Sequence, residues 1–201
     1  EYNIKYAYDK SSRRTGMTLD EPLMGPDAAH KMQVNIEYDN FSRITKMVNS
    51  LNGLSVKYRY DKMSRIVQRT NPDNTFTNYN YDAVYRLVEM NTFNTQNQKV
   101  DFVRYDYDRV GNRVAKTDPK GIEKYSYDDI YRLTQVKYTD GGSEAYSYDE
   151  FGNRLTNVID NDTQEIYSYN GRNELASVRT TSSIQPAPKT TFFSYDMRGN
   201  M

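Results

Sequence analysis

Tyr125-Ser126-Tyr127-Asp128, with the Ile130-Tyr131-Arg132-Leu133 that follows, recurs from one end of the 201-residue chain to the other. Its second tyrosine falls at Tyr8, Tyr38, Tyr60, Tyr81, Tyr107, Tyr127, Tyr148, Tyr169 and Tyr195. Successive copies lie 30, 22, 21, 26, 20, 21, 21 and 26 residues apart. A period near 21 residues defines a repeat architecture, so every residue has to be read against its column before it is read as a site.

Two positions before that tyrosine stand Tyr6, Ile36, Tyr58, Tyr79, Tyr105, Tyr125, Tyr146, Tyr167 and Phe193. The residue after it is Asp in every copy but the eighth, which has Asn170. Four residues on, or five where Gly-Asn intervenes, comes an arginine (Arg13, Arg43, Arg65, Arg86, Arg113, Arg132, Arg154), replaced by Glu174 in the eighth copy. An aliphatic usually follows: Ile44, Ile66, Leu87, Val114, Leu133, Leu155, Leu175.

Tyrosines two apart project to one face of a strand, and Asp accepts a backbone N–H two residues on, which starts a turn. Tyr125 to Tyr127 therefore reads as a strand and Asp128 as its end, with a second strand from Arg132 to Tyr138. Opposite turns recur about a dozen residues later, at Asn52-Gly53, Pro72-Asp73-Asn74, Asp118-Pro119-Lys120-Gly121, Asp140-Gly141-Gly142 and Asn161-Asp162. One repeat is one hairpin, and the chain is expected to be an all-β antiparallel meander. Leu133 and Val136 are three apart, as are Leu155 with Val158 and Leu175 with Val178. That breaks the period of two and points to a leucine plugging the turn or to a β-bulge. Residues 92–99 and 180–189, the latter with Pro186 and Pro188, read as extended hairpin loops. Residues 17–32 read as a loop inserted in a single array spanning 1–201, with one short helical turn over Asp27 to Met32. Both ends look like cuts within a longer array.

Bulk composition narrows the function. Net charge is zero, which favours neither nucleic acid nor an anionic membrane as partner. Leu, Ile, Val and Phe number only 37; the 20 tyrosines supply the missing apolar area in a thin, half-wet core. No cysteine is present, which excludes disulfides and thiolate chemistry. No apolar run is long enough to span a membrane, so membrane insertion is not expected.

The stretch Tyr146 to Leu155, Tyr-x-Tyr-Asp-x-x-Gly-Asn-Arg-Leu, resembles the YD repeat of the Rhs family; Tyr105 to Val114 and Tyr58 to Ile66 are similar. That family includes bacterial polymorphic Rhs toxins, wall-associated repeat proteins, the C component of insecticidal Tc complexes and teneurins. The resemblance implies a curved sheet that forms part of a spiral β-shell around a C-terminal toxin or effector, in a secreted or cell-surface protein. The expected partners are the rest of the repeat array and the enclosed effector. The Asp-Pro-rich core motif at which such shells release their cargo is not in this stretch; Asp118-Pro119 is a turn dipeptide.

The candidate site residues are structural: Tyr58, Tyr60, Asp61 and Arg65; Tyr105, Tyr107, Asp108 and Arg113; Tyr125, Tyr127, Asp128 and Arg132; Tyr146, Tyr148, Asp149 and Arg154. Asp61 with Arg65, Asp128 with Arg132 and Asp149 with Arg154 are expected to pair across turns or between hairpins. A catalytic pair needs two differently tuned groups in one pocket, not one group in every repeat. No enzyme, cofactor or metal site is therefore expected. His30 is the sole histidine, too little for a triad or a zinc site. Asp160 to Glu165 resembles a calcium loop but lacks its glycine and its bidentate glutamate. The alternative function is a glycan-binding adhesion module, with the unrepeated turn tyrosines Tyr85 and Tyr131 as candidate glycan contacts. Edges left open by the cuts would favour self-association.

Overall fold

The computed structural model describes residues 3–20, 31–185, 187–196 and 198–200. Among them it contains seventeen strands and no helix. Contacts divide the chain into two units, Glu1–Val103 and Arg104–Met201, with the division inside strand β9 (Lys99–Tyr107).

The first unit holds β1 (Asn3–Tyr8), β2 (Arg14–Asp20), β3 (Lys31–Tyr38), β4 (Ile44–Asn49), β5 (Ser55–Tyr60), β6 (Ile66–Thr70), β7 (Phe76–Tyr81) and β8 (Leu87–Phe93), together with the start of β9. The second holds the end of β9 and β10 (Arg113–Asp118), β11 (Gly121–Tyr127), β12 (Leu133–Tyr138), β13 (Ser143–Tyr148), β14 (Arg154–Ile159), β15 (Thr163–Tyr169), β16 (Leu175–Thr181) and β17 (Lys189–Phe192). Within each unit consecutive strands pair antiparallel. The expected all-β meander is what the chain forms.

The tyrosine columns set the two faces of the sheet. Along β11, Glu123, Tyr125 and Tyr127 are half-buried while Ile122, Lys124 and Ser126 are exposed. Nothing deeper lies behind the tyrosines. Val136, at 5% exposure, is the one buried apolar side chain among the described residues, and Asn157, at 6%, the one buried polar side chain. The chain exposes 14429 Å². A compact domain of its mass would expose roughly 9,800 Å², and two separate compact halves roughly 11,800 Å². Within each unit the sheet is a single layer, and no strand of that unit covers either face.

Every YD hairpin carries a bulge in the same place. Tyr127 sits opposite Leu133 but Ser126 opposite Gln135, so Thr134 is the extra residue. The bulge returns Leu133 and Val136 to one face, which accounts for their spacing of three. Leu175 and Val178 are arranged in the same way. In the Gly-Asn copy the register differs from the motif alignment: Tyr148 faces Arg154, Ser147 faces Thr156, and Leu155 is itself the bulge residue. Asn157 then faces Tyr146, where Val136 faces Tyr125.

Three loop expectations change. Met17 to Asp20 belong to β2 and Lys31 to Met32 to β3, because the antiparallel backbone ladder runs on to the pairs Leu19–Met32 and Asp20–Lys31; the rest of the expected insertion, 21–30 with His30, lies outside the described residues. The loop expected at 92–99 is a tight five-residue turn, Asn94 to Gln98. The loop at 180–189 shortens to 182–188, with Pro186 outside the described residues.

Candidate functional site: the turn and tyrosine lattice

Each YD turn spans five residues and is held by its first side chain. At Asp128, Oδ1 accepts the N–H groups of Ile130 (3.1 Å) and Arg132 (2.8 Å), and Oδ2 accepts Nε of Arg132 at 2.7 Å. The backbone N–H of Asp128 donates to the Arg132 carbonyl. The same bonds form at Asp9, Asp39, Asp61 and Asp82. The fourth residue of each turn is left-handed: Ser12, Ser42, Ser64, Tyr85, Gly111, Tyr131, Gly152 and Asn173 all have φ between 60° and 100°. Glycine takes this conformation without strain, so Gly111 and Gly152 are the relaxed versions of Tyr85 and Tyr131.

The Asp–Arg expectation holds at Asp61–Arg65 and Asp128–Arg132, each at 2.7 Å. At Asp149 the partner is Asn153, whose Nδ2 donates to Oδ2 at 2.8 Å, and at Asp108 it is Asn112 at 2.9 Å. The turn keeps its length, so the residue at its fifth position takes the carboxylate and the arginine after it is displaced. Arg154 and Arg113 instead lie over the first tyrosines of their own repeats, Tyr146 at 4.5 Å and Tyr105 at 4.0 Å. In the eighth copy both partners change: Asn170 Nδ2 donates to Glu174 Oε2 at 2.7 Å. Asn94 and Gln98 repeat the pattern at 3.0 Å. What the turn requires is one acceptor and one donor across it; charge is optional.

The second tyrosine ties each repeat to the one before. Tyr38, Tyr60, Tyr81, Tyr127, Tyr148 and Tyr169 donate their hydroxyls to the carbonyls of Arg14, Ile44, Ile66, Arg113, Leu133 and Arg154, at 2.7–3.0 Å. The turn arginines point the other way. Arg43 Nη1 reaches the Asp61 carbonyl at 3.0 Å, and Arg132 Nη1 the Asp149 carbonyl at 2.7 Å. Their guanidinium groups lie 4.7 Å and 4.9 Å from the ring centres of Tyr60 and Tyr148. At the junctions that follow Arg13, Arg43 and Arg132, a tyrosine hydroxyl thus donates backwards and an arginine donates forwards over that tyrosine's ring.

Electrostatics follow from these bonds. At Asp128 the Arg132 N–H is the main cause holding the carboxyl below its ordinary value, joined by the guanidinium. At Asp39 and Asp61 partial desolvation pushes upwards, but backbone N–H groups and the arginine together outweigh it, and the result is again low.

One column escaped the sequence reading. Glu123, Glu144 and Glu165 are 21 residues apart, two before the first tyrosines of three successive repeats. Tyr125, Tyr146 and Tyr167 donate to them at 2.6, 2.6 and 2.7 Å. Lys116 Nζ adds a bond to Glu123 at 2.7 Å, and Tyr138 one to Glu144 at 2.7 Å. The bond to Glu144, then burial, push the Tyr138 phenol up to about 12. The 21-residue spacing could have disclosed this column; its role required knowing that it shares the tyrosine face.

Tyr85 and Tyr131 sit at turn tips, 58% and 59% exposed. The Arg65 guanidinium lies 5.1 Å from the Tyr85 ring centre. No helix among the described residues is long and apolar enough to cross a membrane.

Recurring five-residue turns and hydroxyls that link successive hairpins define a β-repeat protein. A model of the RHS repeat matches residues 107–143. The tRNA3(Ser)-specific nuclease WapA of Bacillus spizizenii is 27% identical over 199 residues, which is 98% of this chain and 8% of that protein. The double-stranded DNA deaminase toxin A of Burkholderia cenocepacia is 31% identical over 166 residues, 74% of this chain and 11% of that protein. In fold, the chain resembles a chain of the Photorhabdus luminescens Tc holotoxin pore, with a TM-score of 0.54 at 12% identity over 92% of this chain and 14% of the other. The chain belongs to the RHS, or YD, repeat family. It spans about a tenth of the length of the curated relatives it matches.

Proposed function

We propose that this chain is a stretch of wall in an Rhs-type protein, and that the wall encloses a C-terminal toxin or effector of a secreted or cell-surface parent. The observation that carries the reading is the bare tyrosine face. A single-layer sheet with one buried apolar side chain among the described residues has too little core to serve as an independent domain. The lattice is nevertheless interlocked, since tyrosine hydroxyls bond one repeat to the one before and, at several junctions, an arginine bonds to the one after. Such a sheet is suited to bounding a space. The half-buried Glu123, Glu144 and Glu165, each bonded to a phenol, make the tyrosine face polar enough to stay wet. Relatives named as a nuclease and a deaminase toxin support a parent with a toxic activity located outside these repeats.

Protease protection tests the proposal. In the parent, the effector should resist digestion while the repeats are intact. It should be cut rapidly once Tyr127, Tyr148 and Tyr169 are changed to alanine. An effector equally sensitive in both forms would overturn the reading. Glycan adhesion is the second reading, favoured by the exposed rings of Tyr85 and Tyr131.

A further inference from the structure

The third residue of the YD turn forms a column that neither the turn nor the sheet requires. In the first unit it is Phe41, Met63 and Val84; in the second it is Val110, Ile130 and Phe151. All six are 58–78% exposed. A turn needs no apolar residue at this place: the first copy has Ser11 and the eighth Arg172, with the same backbone bonds. The opposite turns offer a control within the same sheet. Their tips are mixed: Asp73, Asn74, Gln96, Asn97, Lys120 and Asp140 are polar, while the exposed Leu51, Leu54 and Ile184 fall in two of these connections and form no row at one turn position. Within each unit, therefore, one edge carries an apolar side chain on three successive hairpins. Two strand spacings separate neighbours, about 10 Å.

We propose that this turn edge docks against the same edge of a second copy of the repeats. A row of single side chains at a fixed spacing is matched by a partner with the same spacing, and a second run of YD turns has it. The charges beside the row favour an antiparallel pairing. In the second unit the residue before each apolar tip is exposed: Arg109 next to Val110, Asp129 next to Ile130, Glu150 next to Phe151. A two-fold axis at Ile130 brings Val110 to Phe151 and Arg109 to Glu150 of the second copy. Asp129 meets its own copy at the axis, which keeps the contact weak. A stable pairwise interface uses about 20–30 residues a side, far more than one such row provides. Association of this chain is accordingly weak, and a parent about ten times longer would multiply the contacts. The inference does not depend on anything being enclosed.

Sedimentation of the chain at rising concentration tests it. Serine, already present at this turn position as Ser11, replaces Val110, Ile130 and Phe151 without disturbing the turn. The triple variant should self-associate at least tenfold more weakly, while Asp73→Ser with Gln96→Ser should not differ from the parent sequence. Glu150→Arg should weaken association, and adding Arg109→Glu should restore it. Because the chain has no cysteine, Ile130→Cys should oxidise to a disulfide dimer well ahead of Lys120→Cys. Equal rates for the two cysteines would overturn the proposal. So would association that ignores the serines, as pairing of open strand edges would, or phosphatidylcholine vesicles that bind the chain and lose it in the serine variant.

Discussion

Tyr148→Phe isolates the hydroxyl that joins one repeat to the next. Phenylalanine keeps the ring, its packing and its place 4.9 Å from the Arg132 guanidinium. Only the 2.7 Å bond to the Leu133 carbonyl is lost. A partly buried neutral hydrogen bond contributes about 0.5–1.5 kcal/mol net, and that is the expected loss. Tyr8 supplies the control. It is first in the same column, is exposed, and has no repeat before it among the described residues. Tyr8→Phe should therefore stay within about 0.3 kcal/mol of zero. Repeats stand about 10 Å apart, far enough for near-additivity. Changing Tyr127, Tyr148 and Tyr169 together should cost about 3 kcal/mol. For a chain of this size that lowers the melting temperature by roughly 6–12 °C. Urea and thermal unfolding followed by circular dichroism measure both quantities. If Tyr148→Phe matches Tyr8→Phe, or the triple variant costs no more than a single one, the hydroxyls do not join the repeats and the account of the junctions is wrong.

Other tests follow from the same lattice. Asn170→Asp places two carboxylates across the eighth turn and should destabilise it by up to about 1 kcal/mol; adding Glu174→Arg recreates the Asp128–Arg132 arrangement and should recover the loss in a double-mutant cycle. Asn157→Val removes a buried carbonyl oxygen that has no partner, together with a 3.2 Å bond to Glu165, and should raise stability by about 1 kcal/mol in urea titration. Acid should unfold the chain: the carboxyls of Asp39, Asp61 and Asp128 lie lower when folded than when unfolded. Their stabilisation is complete above the unfolded value near 3.8 and is lost as pH falls through the lower folded values, so a midpoint in urea that is flat from pH 6 to about pH 2 would contradict the turn bonding. For adhesion, Tyr131→Asn is the informative variant, because Asn173 already occupies the equivalent left-handed position; a glycan bound by the chain and lost by this variant would make adhesion its primary role.

Much of the fold was legible because it is periodic. Tyr125 and Tyr127 must share a strand face, Asp128 must turn the chain, and a 21-residue period repeats whatever the first hairpin does. The bulge could be read from Leu133 and Val136, since no flat strand places residues three apart on one face. Other features were hidden by the motif itself. Gly152-Asn153-Arg154-Leu155 aligns by eye with an arginine one place late. Backbone bonding instead keeps the turn at five residues, so Asn153 takes the Asp149 carboxylate, Arg154 moves onto Tyr146 and Leu155 becomes the bulge.

The sequence by itself determined the hairpin, its period, its turn chemistry and the alternation of its faces, because all of these arise between residues close in the chain. Only the tertiary structure decided which groups meet across repeats. The hydroxyl of Tyr148 on the Leu133 carbonyl, the guanidinium of Arg132 beneath the next turn, and the alignment of Phe41, Met63 and Val84 along one edge of their unit depend on strand register. Register is set by pairing and bulges between strands, and a linear motif does not encode it position by position.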